Sequence, residues 1–266
     1  SMFPKGEPGF VHQSFGWAIE CFTGHFNDYQ PIDARYHDLE HSLQGTLCLA
    51  RLLAGRHRAG ANPAMSPRLS HLALLAILLH DTGYLKKRND TEGTGAKYTV
   101  THVQRSALFA DELLSQKGFE PPAILAVQNM IRCTGINANL DAIPFQSDLE
   151  KVAGFSLATA DLLGQMAAPD YIEKLPTLYA EFAEAVRFTP DAPHFIAGFT
   201  SARDLMQNTA EFWRKTVLPK LENQFLGLYR FLSVPYPGGP NDYLDRIEAN
   251  IHRLEQHLSR MADTAA

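Results

Sequence analysis

Apolar positions recur along this chain at helical spacing, and strand-like alternation is nearly absent. The densest run is LALLAILLHDTGY, residues 72–84, and it predicts a buried helix over residues 69–80 that Thr82 and Gly83 terminate. Upstream, residues 36–53 (YHDLEHSLQGTLCLARLL) carry the same period, with Asp33 where an N-cap would stand, and residues 55–67 read as a surface loop. Downstream, His102 opens a helix with Ser106, Phe109 and Leu113 on its stripe and Gly118 as its stop. Pro121 and Pro122 start a helix reaching Cys133, and residues 148–166 form another, with Asp148 read as a cap. Helices are also predicted over residues 171–186, 202–232 and 243–261, with linkers at 189–194 and at the VPYPGGPND turn. The stretch from Phe3 to Asp33 is aromatic and punctuated by glycines, with one short helix at residues 17–22 laid over the core. The residues after the last helix are expected to be disordered.

This pattern predicts an all-α protein in one domain, with a helical core over residues 33–170 and a helical extension over 171–262. At 266 residues the chain is long enough to bury a sizeable core, and 45% hydrophobic with 20% charged residues is ordinary for a water-soluble fold. The net charge of −5 gives no broad electrostatic footprint for nucleic acid, so a small-molecule partner is expected instead. No apolar run is long enough to span a bilayer, because His80 and Asp81 interrupt the longest one, and no leader pattern opens the chain. Cys21, Cys48 and Cys133 are widely and irregularly spaced, without a CxxC pair, which fits a reducing cytoplasm. The last helix has an apolar repeat broad enough for packing or for a homodimer contact.

The candidate chemistry starts at His80 and Asp81. A carboxylate beside an imidazole at the lip of an apolar run is costly to bury unless both are paired, and a divalent cation pairs with both. Asp161 sits in the apolar stretch 155–163, where an unpaired carboxylate is equally expensive, and Gly154, Ala158 and Gln165 share its face. On the earlier helix His37, His41, Gln44 and Cys48 fall on one face by spacing, and two histidines one turn apart either converge on a site or stand solvated at a helix start. The basic run Lys86-Lys87-Arg88 is either a solvated turn or places Lys86 against a substrate phosphate. The polar stretch 88–101 reads as a loop near the site mouth, and its GTGAK lacks P-loop spacing. Phe225, Tyr229 and Phe231 are core or an aromatic wall for a planar substrate, and His252 and His257 are surface residues.

The order His41, His80-Asp81, Asp161 resembles the HD-domain metal-dependent phosphohydrolase superfamily, over about half the chain. His41-Ser42 is similar to the pair that carries the first metal ligand there, and Tyr36-His37 with His41 resembles the YHxxxH signature of its cyclic-nucleotide phosphodiesterases. The resemblance implies a site in which His41, His80, Asp81 and Asp161 hold a divalent cation (Mg, Mn, Fe or Zn), with Asp81 able to bridge to a second. It implies that His37 donates a proton to the leaving oxygen and that His102 touches substrate or a second cation. Where some versions of that fold carry a further histidine, this chain has Arg132 and Cys133. The implied activity is hydrolysis of a small phosphate ester, such as a nucleotide or cyclic nucleotide. Two other readings stay open: a di-iron oxygenase on the same scaffold, and a degenerate domain that binds a ligand without turnover.

Overall fold

Helices follow one another along the computed structural model, which describes residues 9–263. They are α1 (Phe10–Phe22), α2 (Leu39–Arg58), α3 (Pro67–Leu79), α4 (His102–Gln116), α5 (Pro121–Ile131), α6 (Asp148–Met166), α7 (Tyr171–Phe188), α8 (His194–Ala197), α9 (Ala202–Phe212), α10 (Leu218–Asn223) and α11 (Asp242–Asp263). Short 3-10 turns lie at Thr82–Tyr84, Gly95–Tyr98, Leu140–Ala142 and Leu228–Leu232. Among the described residues there is no strand; a lone antiparallel bridge joins Tyr29 to Lys87. The protein is all-α. Gly6 of the N-terminal stretch and the last three residues of the tail lie outside the described residues.

α3 is the central rod. Ser66 caps it by accepting from the Leu69 amide at 3.1 Å, and Pro67 occupies the first turn, where its missing N–H costs nothing. Leu72, Ala73 and every residue from Leu75 to Leu79 are buried, so the helix from Leu72 onward is apolar on all sides because protein surrounds it. α2 and α6 flank it and cross each other closely. A Cβ on Gly164 would stand 2.8 Å from the Gly45 nitrogen, so only a residue without a side chain fits there. The aligned residue Gly154 serves a different neighbour, the Cys133 thiol on the α5 side.

Several predicted boundaries move, each for a local reason. α2 starts at Leu39 because Asp38 accepts from the His41 amide at 2.8 Å, while Asp33 accepts from the Gly95 amide at 2.6 Å instead of capping a helix. α2 then runs on to Arg58. The cap of α6 is Ser147, which accepts from the Glu150 amide at 3.2 Å, and Asp148 is the first helical residue. The single helix predicted over 202–232 is interrupted: α9 widens into a π turn at Trp213–Val217 just before Pro219, which has no N–H to give the Lys215 carbonyl. α10 then ends at Asn223 with Gln224 as its C-cap, and Gly227, at φ 62°, turns the chain back so that its amide bonds the Leu221 carbonyl. One buried apolar cluster runs from Phe10 in α1 to Leu254 in α11. The apolar repeat of α11 lies within it, through Tyr243, Ile247, Ile251 and Leu254.

Candidate metal centre

His80 caps the C-terminal end of α3, and Asp81 opens the 3-10 turn that follows. That turn is held by the start of α4. Arg105 donates to the Gly83 and Leu85 carbonyls at 2.7 and 2.6 Å, and Ser106 accepts from the Gly83 amide at 2.8 Å. A Cβ on Gly83 would overlap the His102 carbonyl, so the glycine is what lets His102 come alongside Asp81. His41 from α2 and Asp161 from α6 reach the same point because the glycine crossing brings their helices together.

The four side chains form a closed ring of contacts. His41 Nε2 and His80 Nε2 each lie 3.2 Å from Asp81 Oδ2 and 3.2 Å from Asp161 Oδ1. Yet His80 Nε2, Asp81 Oδ2 and Asp161 Oδ1 are buried and make no aligned hydrogen bond. The separation is that of neighbouring ligands, since two donors about 2.1 Å from one ion and about 100° apart stand about 3.2 Å from each other. His80 Nδ1 donates to the Ile77 carbonyl at 2.7 Å, which fixes the tautomer and leaves the Nε2 lone pair facing the cluster. His41, His80 and Asp81 could therefore hold a metal ion, with Asp161 the adjoining donor.

With no cation, protons take its place. Burial alone would push His41 down, but the close contacts and charges of Asp161 and Asp81 outweigh it and raise the imidazole to about 10. His80 moves up by the same contest between burial and the Asp81 and Asp161 charges. Burial works against ionising the carboxyls, yet His80 and His41 hold Asp81 well below its ordinary value and Asp161 below its own. The ring is thus two anions and two exchangeable protons, a charge pattern that a divalent cation can replace.

A cavity of about 480 Å³ opens on this cluster. His37 lies before α2 rather than on it, so helical spacing does not explain its place; its ring still stands 5.5 Å from that of His41. Glu181 of α7 holds it, accepting at 2.6 Å from Nδ1 and at 2.7 Å from the Tyr36 amide. Despite burial, that contact with His37 keeps the Glu181 carboxyl below the usual range. His102 Nδ1 bonds the Thr99 carbonyl at 2.7 Å, and its Nε2 is 3.9 Å from Asp81 Oδ1. Burial pushes His102 down, so its ring is a neutral donor atom. Tyr84 stacks on both rings, with centroids 4.5 Å from His37 and 4.9 Å from His102, and the two imidazoles stand 6.0 Å from each other beside it. Its buried hydroxyl makes no aligned hydrogen bond, with the Thr99 side chain beside it, and burial keeps the phenol protonated.

Lys86 is not brought to the cavity. Its ammonium is buried between Asp33 Oδ2, at 3.0 Å, and the Gly93 carbonyl, at 2.7 Å, where it pins the 86–97 loop. Lys87 lies over the Tyr29 ring at 3.6 Å, and Arg88 pairs with Asp28 at 3.8 Å, so the basic run is structural. Cys133 is buried with its thiol on the Asn129 carbonyl and does not line the cavity, whereas Arg132 does. Phe225 is core, and Tyr229 and Phe231 are partly buried against it; besides Tyr84, the Phe and Tyr rings lining the cavity are Tyr171, Phe182, Phe199 and Phe212. Sequence reasoning missed Tyr84 and Glu181. Glu181 did leave a signal: it interrupts the apolar stripe Leu175, Leu178, Ala185 of α7 with a carboxylate.

The fold and the site define an all-α protein with a buried His-His-Asp cluster able to take a cation. The model of the Npun_R2479-like family matches residues 88–256, which is 169 of the 266 residues, and the chain belongs to that family. The match takes in His102, Asp161 and Glu181 and begins after the His80-Asp81 pair. No curated protein and no solved structure matches the chain.

Proposed function

We propose that this protein is a metal-dependent hydrolase of a phosphate ester, related to the HD-domain phosphohydrolases it resembles. The observation that carries the reading is the ring of 3.2 Å contacts among His41, His80, Asp81 and Asp161, in which His80 Nε2, Asp81 Oδ2 and Asp161 Oδ1 are buried without an aligned hydrogen bond. Divalent Mg, Mn, Fe or Zn all suit two imidazoles and two carboxylates. Held there, such a cation would make a water acidic enough to attack at neutral pH and would offset charge on the phosphoryl group.

The chain's own residues do the rest. Glu181 fixes the His37 ring so that Nε2 is the atom left for a leaving-group oxygen, which gives His37 its role as proton donor. The protonated Tyr84 residue lines the same cavity and can donate its hydroxyl to a substrate oxygen. His102 Nε2 and Asp81 Oδ1 form a second, looser pair for substrate or a second cation. The proposal includes a reducing compartment, the cytoplasm, since all three cysteines are free and buried. No helix of the described residues is long and apolar enough to cross a membrane.

The test is metal analysis of the purified protein and its Asp81→Ala variant, followed by a phosphatase and phosphodiesterase panel with the metal found. Stoichiometric metal and ester cleavage, both lost in Asp81→Ala with helical content intact, are expected. Full activity in that variant would remove the site. Bound iron with substrate-dependent oxygen uptake would replace the hydrolase by an oxygenase, and tight metal with silence across the panel by a ligand-binding domain.

A further inference from the structure

The remainder of the cavity has a composition that bears on what is cleaved. Besides the polar cluster, the cavity is lined by Leu162 of α6, Leu175, Leu178 and Phe182 of α7, Phe199, and Leu205 of α9. Arg132 is the one lysine or arginine among the described lining residues, and its Nη1 donates to Asn129 Oδ1 at 3.1 Å. Lysines on the neighbouring loop are committed elsewhere: Lys86 to Asp33 and the Gly93 carbonyl, Lys97 to Asp90 and the Glu92 carbonyl.

Most polar side chains that do line the cavity are turned to the chain's own groups. Thr99, Thr134 and Thr209 each donate to a carbonyl three or four residues back, at 2.6, 2.8 and 2.9 Å. Gln165 accepts from the Tyr36 hydroxyl at 2.9 Å and donates to the Asp161 carbonyl at 3.3 Å. A nucleobase placed against this wall would lose its hydrogen bonds to water and gain few in return. A polyphosphate would lack the cations that usually clamp one. One anionic head fits the polar cluster, and an apolar body fits the rest.

We infer that the substrate is an amphiphilic monophosphate ester, with a single phosphate at the His41, His80, Asp81, Asp161 cluster and an alkyl or aryl body against α6, α7 and α9. This rests on the hydrolase reading above and narrows it away from nucleotides. The volume of about 480 Å³ lies within the range of small-molecule sites. Burying each methylene against this wall should raise affinity by about fourfold.

The experiment is calorimetric titration of the full chain with n-alkylphosphonates from methyl to octyl, and with adenosine 5'-monophosphate, each in manganese chloride and in EDTA. The expected result is a rise of roughly threefold to fourfold per methylene up to at least hexyl, with the nucleotide at least about tenfold weaker than hexylphosphonate. Leu178→Gln, a half-buried change on α7, should flatten the rise, and the wild-type series decides the matter should that variant fail to fold. A flat series, absent binding, or a nucleotide that binds tighter than hexylphosphonate overturns the inference. A flat series with stronger binding in manganese would leave the hydrolase standing without the apolar body. A rising series indifferent to manganese would support the apolar body and remove the metal.

Discussion

The two walls of the cavity obey different rules. Around His41, His80, Asp81 and Asp161, four atoms must each sit within a few tenths of an ångström, and the helices that carry them are locked by glycine contacts and backbone hydrogen bonds. On the α7 and α9 side the requirement is only that apolar volume be present, and Leu178 or Phe182 are partly exposed without any polar atom to satisfy. Removing a polar group from the first wall should therefore change chemistry with little effect on body binding. Changing the second should change affinity with little effect on chemistry.

The sharpest separation comes from His37→Ala, expected to lower turnover by roughly 100- to 10,000-fold while metal content and alkylphosphonate affinity stay as they were. Glu181→Gln should give a smaller loss of the same kind, because the ring remains but its anchor weakens. Steady-state kinetics beside metal analysis read both; equal activity in His37→Ala would strip that residue of its role.

Next in size is a pH effect confined to the polar wall. His41, raised to about 10 against an unfolded value of 6.5, binds its proton more tightly in the fold. Its contribution to stability is complete below 6.5 and is lost as pH climbs through about 10. Asp81 and Asp161, held low, contribute above 3.8 and lose that contribution as pH falls. The metal-free protein should thus melt at a falling temperature between pH 6.5 and 10, and a cation that displaces the proton should give a thermal shift that grows over the same window. A shift that shrinks with rising pH would mean that the cation binds elsewhere.

The smallest effect tests the frame rather than either wall. Gly164→Ala improves helix propensity by about 1 kcal/mol, yet its methyl would meet the α2 backbone, so urea unfolding should show a net loss of about 1–3 kcal/mol. Metal affinity should fall with it, since Asp161 rides on α6. A stabilised variant would show that the two helices do not cross as tightly as described.

Much of this was legible beforehand, for reasons visible in particular residues. α3 and α6 are readable because their apolar runs speak locally, although the sequence reading leaves Ser66 and Pro67, the cap and first turn of α3, in the preceding loop. The break at Trp213–Val217 is not, because the amphipathic pattern continues through Pro219 and carries no mark of the π turn before it. His41, His80, Asp81 and Asp161 stood out as polar groups in apolar surroundings. Lys86 looked available because its partners, Asp33 and the Gly93 carbonyl, are brought to it by chain folding rather than by neighbourhood in sequence.

Sequence alone settled the helical class and named the donor atoms, since periodicity and side-chain chemistry are local properties. Only the tertiary structure decided that those atoms meet, that Glu181 stands behind His37, and that the cavity is mostly apolar, with Arg132 the one lysine or arginine among its described lining residues. Each of these depends on where helices distant in the chain cross, and the crossing is set by close backbone contact at Gly45 and Gly164.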